Sequence, residues 1–242
     1  MKFYEIQDKE NRIDVFNERW YKNGERFYRN VTTILGIIDK GYNFDEWLKN
    51  NGPNAELITD RAGRFGTNLH KLIQRFLTGE SVSYYDNQAE GDRVSTALWE
   101  RFNIWLDFWR ELNVTHEVEY EKEDCEVIGY CEEHEFAGTI DFIAYLDGKK
   151  TMFDWKSGNY IGNQEKLQMI AYMNMKIVGN AKLIWLPAKK PNKKGYRIID
   201  VEYTKEGMDL FLATKKIFDM ENTDKPKILT LPIETSLLTF KQ

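Results

Sequence analysis

The stretch from Phe136 to Lys156 constrains this chain most. Phe136 to Leu146 and Thr151 to Trp155 are apolar runs rich in aromatic and β-branched residues, joined across the turn dipeptide Asp147-Gly148, so they read as the two strands of a hairpin at the centre of a sheet. Two charged residues interrupt these apolar runs, Asp141 and Asp154, and Lys156 follows directly after the second run. Residues two apart on a strand point the same way, so Asp154 and Lys156 share a face while Phe153 and Trp155 turn to the opposite, buried side. If Asp141 lies across the hairpin from Asp154, two carboxylates and one ammonium meet within a few ångströms. Carboxylates held that close repel each other, and a hard divalent cation is the usual remedy.

Carboxylate oxygens suit Mg2+ or Mn2+, which polarise a phosphoryl oxygen and acidify water, while a neighbouring lysine can orient or deprotonate the attacking water. That is the chemistry of phosphodiester hydrolysis. The same triplet on an ordinary hairpin is a surface ion pair of little energetic weight, so the rest of the chain has to separate the two readings.

Upstream, aromatic and polar residues alternate around Lys22-Asn23-Gly24, which predicts a small hairpin. Thr32 or Thr33 is placed to cap a short helix through Ile38, and a second helix starts near Phe44 and breaks at Asn51-Gly52-Pro53. The apolar spacing of Leu57, Ala62, Leu69, Leu72, Ile73, Phe76 and Leu77 predicts a longer helix ending at Gly79, and that of Val94 to Trp109 predicts another over Asp92 to Leu112. Val114 to Ile128 then alternates as a strand would, placing Glu117, Glu119 and Glu121 on one face. After Gly158 the pattern predicts a helix over Gln164 to Val178, strands at Leu183 to Leu186 and Arg197 to Tyr203, and a closing helix over Lys205 to Met220.

The order of short motifs along this framework decides the matter. Val31-Thr32-Thr33-Ile34-Leu35 is followed by Gly66-Thr67-Asn68-Leu69-His70, Gly138-Thr139-Ile140-Asp141, Asp154-Trp155-Lys156-Ser157-Gly158 and Gln168-Met169-Ile170-Ala171-Tyr172. In these the chain resembles the RecB-like branch of the PD-(D/E)XK nucleases, the branch that includes mitochondrial genome maintenance exonucleases and many phage proteins. The resemblance spans roughly the central two thirds of the chain. It implies a restriction-endonuclease-like α/β core, a central mixed β-sheet flanked by helices, with an N-terminal helical cap. Residues 1–90 would form the hairpin and cap carrying the His70 helix, and residues 91–242 the nuclease core, together one catalytic unit.

The resemblance also implies roles. His70, Asp141 and Asp154 would hold the metal with the backbone carbonyl of Trp155, Lys156 would position the attacking water, and Gln168 and Tyr172, one turn apart on a helix, would contact DNA. Glu119 is a further candidate, since related enzymes often carry an acidic residue on the preceding strand. Isoleucine stands where the superfamily has a proline before the first aspartate, a change common in this branch. The iron–sulfur cysteines of some relatives are missing: Cys125 and Cys131 lie six apart in a strand-like region and read as reduced and structural.

The expected function is a divalent-metal-dependent DNA exonuclease, preferring single strands or ends, in repair, recombination or phage replication. Alternatives are a structure-specific endonuclease of the same superfamily, a catalytically silent DNA-binding module, and a hydrolase of other phosphate esters. A formal charge of −5 argues against a protein that coats nucleic acid. A local basic rim remains available at Lys189, Lys190, Lys193, Lys194 and Arg197. No apolar run is long enough to span a bilayer and the first residues do not read as a targeting signal, which points to a cytoplasmic protein without a membrane partner.

Overall fold

The computed structural model describes residues 7–9, 11–15, 18–84, 95–176 and 178–222. Its described elements are β1 (Gln7–Lys9), β2 (Arg12–Val15), β3 (Glu18–Asn23), β4 (Arg26–Asn30), α1 (Val31–Leu35), α2 (Tyr42–Asn51), α3 (Asn54–Leu77), α4 (Thr96–Thr115), β5 (Val118–Glu119), β6 (Cys125–Cys131), β7 (Phe136–Leu146), β8 (Lys149–Lys156), α5 (Asn163–Lys176), β9 (Asn180–Trp185), β10 (Arg197–Glu202) and α6 (Lys205–Glu221). The class is α/β, with a mixed sheet flanked by helices.

All the described strands belong to one sheet, in which β1-β2-β3-β4-β7-β8-β9-β10 are neighbours in turn and β5 and β6 also pair with β7. The expected hairpin is there: β7 and β8 run antiparallel with Leu146 opposite Lys149 and Phe142 opposite Phe153. Asp147 and Gly148 both take positive φ in the turn. The connection from β8 through α5 returns the chain to a parallel partner, β9, and β10 closes this end antiparallel to β9.

The N-terminal hairpin is part of this sheet. Its last strand, β4, pairs parallel with the start of β7, and the Tyr21 hydroxyl on β3 lies 2.8 Å from the Thr139 hydroxyl on β7. Hairpin and core therefore share one hydrogen-bonded framework. The boundary expected near residue 90 falls outside the described residues.

Each face of the sheet buries its own core. On one face α1, α5 and α6 cover Phe136, Ile140, Met152 and Leu183. On the other, α3 and α4 cover Phe142, Phe153, Trp155 and Ile184. Trp155 meets Trp105 of α4 edge-on at 5.6 Å between ring centres, and truncating so large a buried ring costs about 3–5 kcal/mol. Alternate residues of β8 thus serve different cores, which fixes its register, because a one-residue slip would exchange every contact. Cys125 and Cys131 are both free thiols. No described helix is long and apolar enough to cross a membrane.

One stretch departs from the alternating pattern. Val114 to Ile128 is not a continuous strand: α4 extends through Thr115, β5 is two residues long, and a 3-10 turn occupies Lys122–Asp124 before β6 begins. The cause is local side-chain chemistry. The Asp124 carboxylate accepts from the Glu121 N–H at 2.8 Å, and the Glu121 side chain accepts in return from the backbone of Asp124. This reciprocal cap satisfies two backbone donors without a partner strand.

Candidate active site

The site lies where β7 and β8 part. By the register of the hairpin Asp141 stands across from Asp154. The Asp141 Oδ2 atom accepts the Trp155 N–H at 2.9 Å, so a carboxylate satisfies a backbone donor of the strand. Its Oδ1 atom lies 3.3 Å from Nδ1 of His70. The other imidazole nitrogen, Nε2, lies 2.8 Å from the Trp155 carbonyl. His70 on α3, Asp141 on β7 and both backbone groups of Trp155 on β8 therefore meet.

Two close approaches explain why glycines precede these residues. A Cβ at Gly66, one turn before His70, would come 3.3 Å from the Ser157 hydroxyl, so the bare backbone brings α3 against the end of β8. A Cβ at Gly138 would fall 2.5 Å from the ring of Tyr172, closer than atoms can pack, so the glycine is needed where α5 crosses β7.

Asp154 is 1 % exposed. Lys156 donates to its Oδ1 at 3.0 Å and lies 2.8 Å from Oδ2 as an ion-pair contact, and Gln168 of α5 donates to Oδ1 at 3.3 Å. Oδ2 has the Lys156 ammonium as its charge partner and makes no further hydrogen bond in this buried position. Gln168 and Tyr172 are both buried. Both side chains, expected as DNA contacts, turn inward here, Gln168 onto Asp154 and Tyr172 against Gly138.

Glu119 is not brought to this site. It stands opposite Tyr145, four residues along β7 from Asp141 and so roughly 13 Å away at strand spacing, and it is exposed. The 3-10 turn after β5 shifts the acidic alternation, and the carboxylate that reaches the site is Glu126 on β6. The residues flanking Glu126 pair with those flanking Asp141, which sets Glu126 across from Asp141. It takes φ +53°, a strained conformation for a side chain with a Cβ and one that clusters at functional positions.

His70, Glu126 and Asp141 offer ligand atoms that all lie within 4.8 Å of one another. One imidazole nitrogen and two carboxylates form a donor set that suits a divalent cation of the Mg2+ or Mn2+ kind. Asp154 stands beside this group rather than in it.

The electrostatics reflect crowding of like charge away from water. Burial pushes Glu126 up to about 7, the Asp141 charge adds to the rise, and His70, Arg12 and Arg19 oppose it. Burial likewise lifts Asp154 to about 6 against the pull of Lys156. Burial works against a charged His70, yet Asp141 outweighs it and raises the imidazole to about 9. Asp141 goes the other way: burial disfavours its charge, but His70, Lys156 and the Trp155 N–H hold it below the usual carboxylate range. Lys156 stays protonated, because Asp154 and Asp141 more than offset its desolvation. Positive charge in the centre of this group is in demand, and an imidazolium or a divalent cation can meet it.

No family model matches the chain, and neither does any curated relative. Among solved structures it is similar to LHK-Exo in complex with dAMP, at 11% identity and TM-score 0.44 over 87% of this chain and 94% of that one. It is also similar to an alkaline exonuclease, LHK-Exo, from Laribacter hongkongensis, at 12% identity and TM-score 0.43 over 84% and 91% of the two chains. A phage related exonuclease from Haemophilus somnus 129PT aligns at 14% identity and TM-score 0.33 over 64% and 82%.

Proposed function

We propose that this chain is a divalent-metal-dependent deoxyribonuclease of the RecB-like kind, acting as an exonuclease on single strands or DNA ends. One observation carries the reading: His70, Glu126, Asp141, Asp154 and Lys156, drawn from four elements, converge on one end of the central hairpin. His70, Glu126 and Asp141 would hold the cation, with Asp154 and the Trp155 carbonyl at its margin. When bound, Mg2+ or Mn2+ supplies polarisation of the scissile phosphate and makes water a stronger acid.

The protein's own groups do the rest. Lys156, kept as an ammonium by Asp154, donates hydrogen bonds that orient the attacking water and balance charge on the phosphate. Gln168 fixes Asp154, and Asp154 in turn aims Lys156. Gly66 and Gly138 let α3 and α5 close on the two strands, so these side chains are held without slack.

The test is incubation of purified protein with end-labelled single-stranded, duplex and circular DNA in Mg2+, in Mn2+ and in EDTA. Metal-dependent loss of linear single strands with circles spared is the expected result. Nicking of circles would assign an endonuclease instead, and no cleavage in either metal would overturn the proposal.

A further inference from the structure

The parallel pairing of β8 with β9 carries an observation that the metal site does not use. Lys156 is the register partner of Trp185, and Trp185 is in turn the partner of Arg197 on β10. Cross-strand partners project to the same face, so Lys156, Trp185 and Arg197 form one row at the carboxyl ends of β8 and β9. Neighbouring strands are about 4.8 Å apart, so the row reaches roughly 10 Å from the lysine to the arginine. Ligands of open α/β sheets bind outside the carboxyl ends of parallel strands.

The row is built for a planar, anionic occupant. Trp185 is half-buried and fixed, its indole N–H donating to the Gly158 carbonyl at 2.7 Å in the loop that follows Lys156. Arg197 is exposed, with its guanidinium 5.9 Å from the centre of the Trp185 ring. Between Trp185 and Arg197 the chain carries Lys189, Lys190, Lys193 and Lys194 and no acidic residue. Lys194 is anchored to Glu111 of α4 at 2.5 Å, and the first three lysines are exposed. In a chain of formal charge −5, this edge of the sheet is locally positive.

We propose that Trp185 and Arg197 form a strand-binding subsite for single-stranded DNA next to the cleaved phosphate. A base stacks on the indole, Arg197 holds a flanking phosphate, and the lysines of the β9–β10 loop add sequence-independent attraction. Stacking of this type tolerates any base, because every base has a π-face. The subsite rests on the nuclease reading, and it makes a separate demand: binding away from the metal.

The experiment measures Kd for fluorescein-labelled oligo(dT) by anisotropy in EDTA, and in Mn2+ the KM and kcat on oligo(dT) beside hydrolysis of bis(p-nitrophenyl) phosphate, a diester too small to reach the row. Trp185→Leu keeps apolar volume and loses the stacking surface; Trp185→Phe restores a ring; Arg197→Ala removes the charge from an exposed position. The expected result is a rise in Kd and KM of about tenfold for Trp185→Leu and for Arg197→Ala, with kcat and small-diester hydrolysis unchanged and Trp185→Phe near wild type. Unchanged oligo(dT) affinity in both Trp185→Leu and Arg197→Ala overturns the subsite whatever the activity. Loss of affinity in those variants of a wild type that cuts neither substrate upholds the subsite and overturns the nuclease reading.

Discussion

Among the described residues two histidine–aspartate pairs have nearly the same construction. At the turn end of the central hairpin His116 meets Asp147 at 2.6 Å, and Asp147 also accepts the Glu117 N–H at 2.9 Å. Near the other end His70 meets Asp141 at 3.3 Å, and Asp141 accepts the Trp155 N–H at 2.9 Å. Partners and bonding are alike; the surroundings are not. Asp147 is 57 % exposed against 10 % for Asp141. Water screens the first pair, whose contact holds the exposed Asp147 carboxyl below its usual range and does no more. The second is shut in with Glu126, Asp154 and Lys156, and there the same contact lifts the imidazole to about 9. Distance alone does not set the pairs apart; desolvation in like-charged company does.

Five substitutions test that contrast, from the largest effect to the smallest. Asp141→Asn keeps an oxygen able to accept from Trp155 while removing the charge, and is expected to lower kcat by at least about 10³-fold with the fold retained by circular dichroism. Activity within tenfold of wild type would place the chemistry elsewhere.

Lys156→Ala should also abolish cleavage, and its stability should carry a sign that an exposed ion pair would not produce. Without the ammonium, Asp154, already lifted to about 6 by burial, binds its proton more tightly. A carboxyl whose folded-state pKa is raised contributes stability at low pH that is lost as pH rises through that pKa. The deficit in Tm relative to wild type should therefore grow as pH is raised from 5 to about 8. A deficit independent of pH would mean that Lys156 does not hold the Asp154 charge.

Glu126→Gln should weaken Mn2+ binding by at least about 10- to 100-fold, the range for removing a group that only supports a metal ligand. Glu119→Gln, on an exposed strand beyond reach, should leave that affinity at the wild-type value. Isothermal titration with Mn2+ decides between them, and equal losses would contradict the register of β6 with β7. At the far end of the hairpin, Asp147→Asn should leave cleavage and metal affinity unchanged, and a loss of activity there would remove the distinction between the two pairs.

The sequence and the structure agree most closely where local rules dominate. The β7–β8 hairpin follows from period-two apolarity and Asp147-Gly148, and the shared face of Asp154 and Lys156 follows from strand geometry. His70 was legible only through the order of motifs, since a histidine on an amphipathic helix has many structural uses. Glu126 was not legible at all. It sits among six acidic residues between Glu117 and Glu126, where alternation favours none of them. Its selection depends on the 3-10 turn at Lys122–Asp124, on a positive φ, and on long-range register with β7. Gln168 shows the opposite limit: helical spacing placed it on a face with Tyr172, but only the packing of α5 reveals that the face is interior.

The bond from the Trp155 amide to Asp141 has a practical consequence. In an ordinary sheet that amide would report only on whether the strands are paired. Here its acceptor is the Asp141 carboxylate, so the proton on one backbone nitrogen senses the charge of that carboxylate directly. In a 15N-labelled sample, the Trp155 cross-peak should move when Mn2+ or Mg2+ is added, and its exchange with solvent deuterium should slow. A single amide resonance thus becomes a reporter of occupancy that needs no substrate and no cleavage.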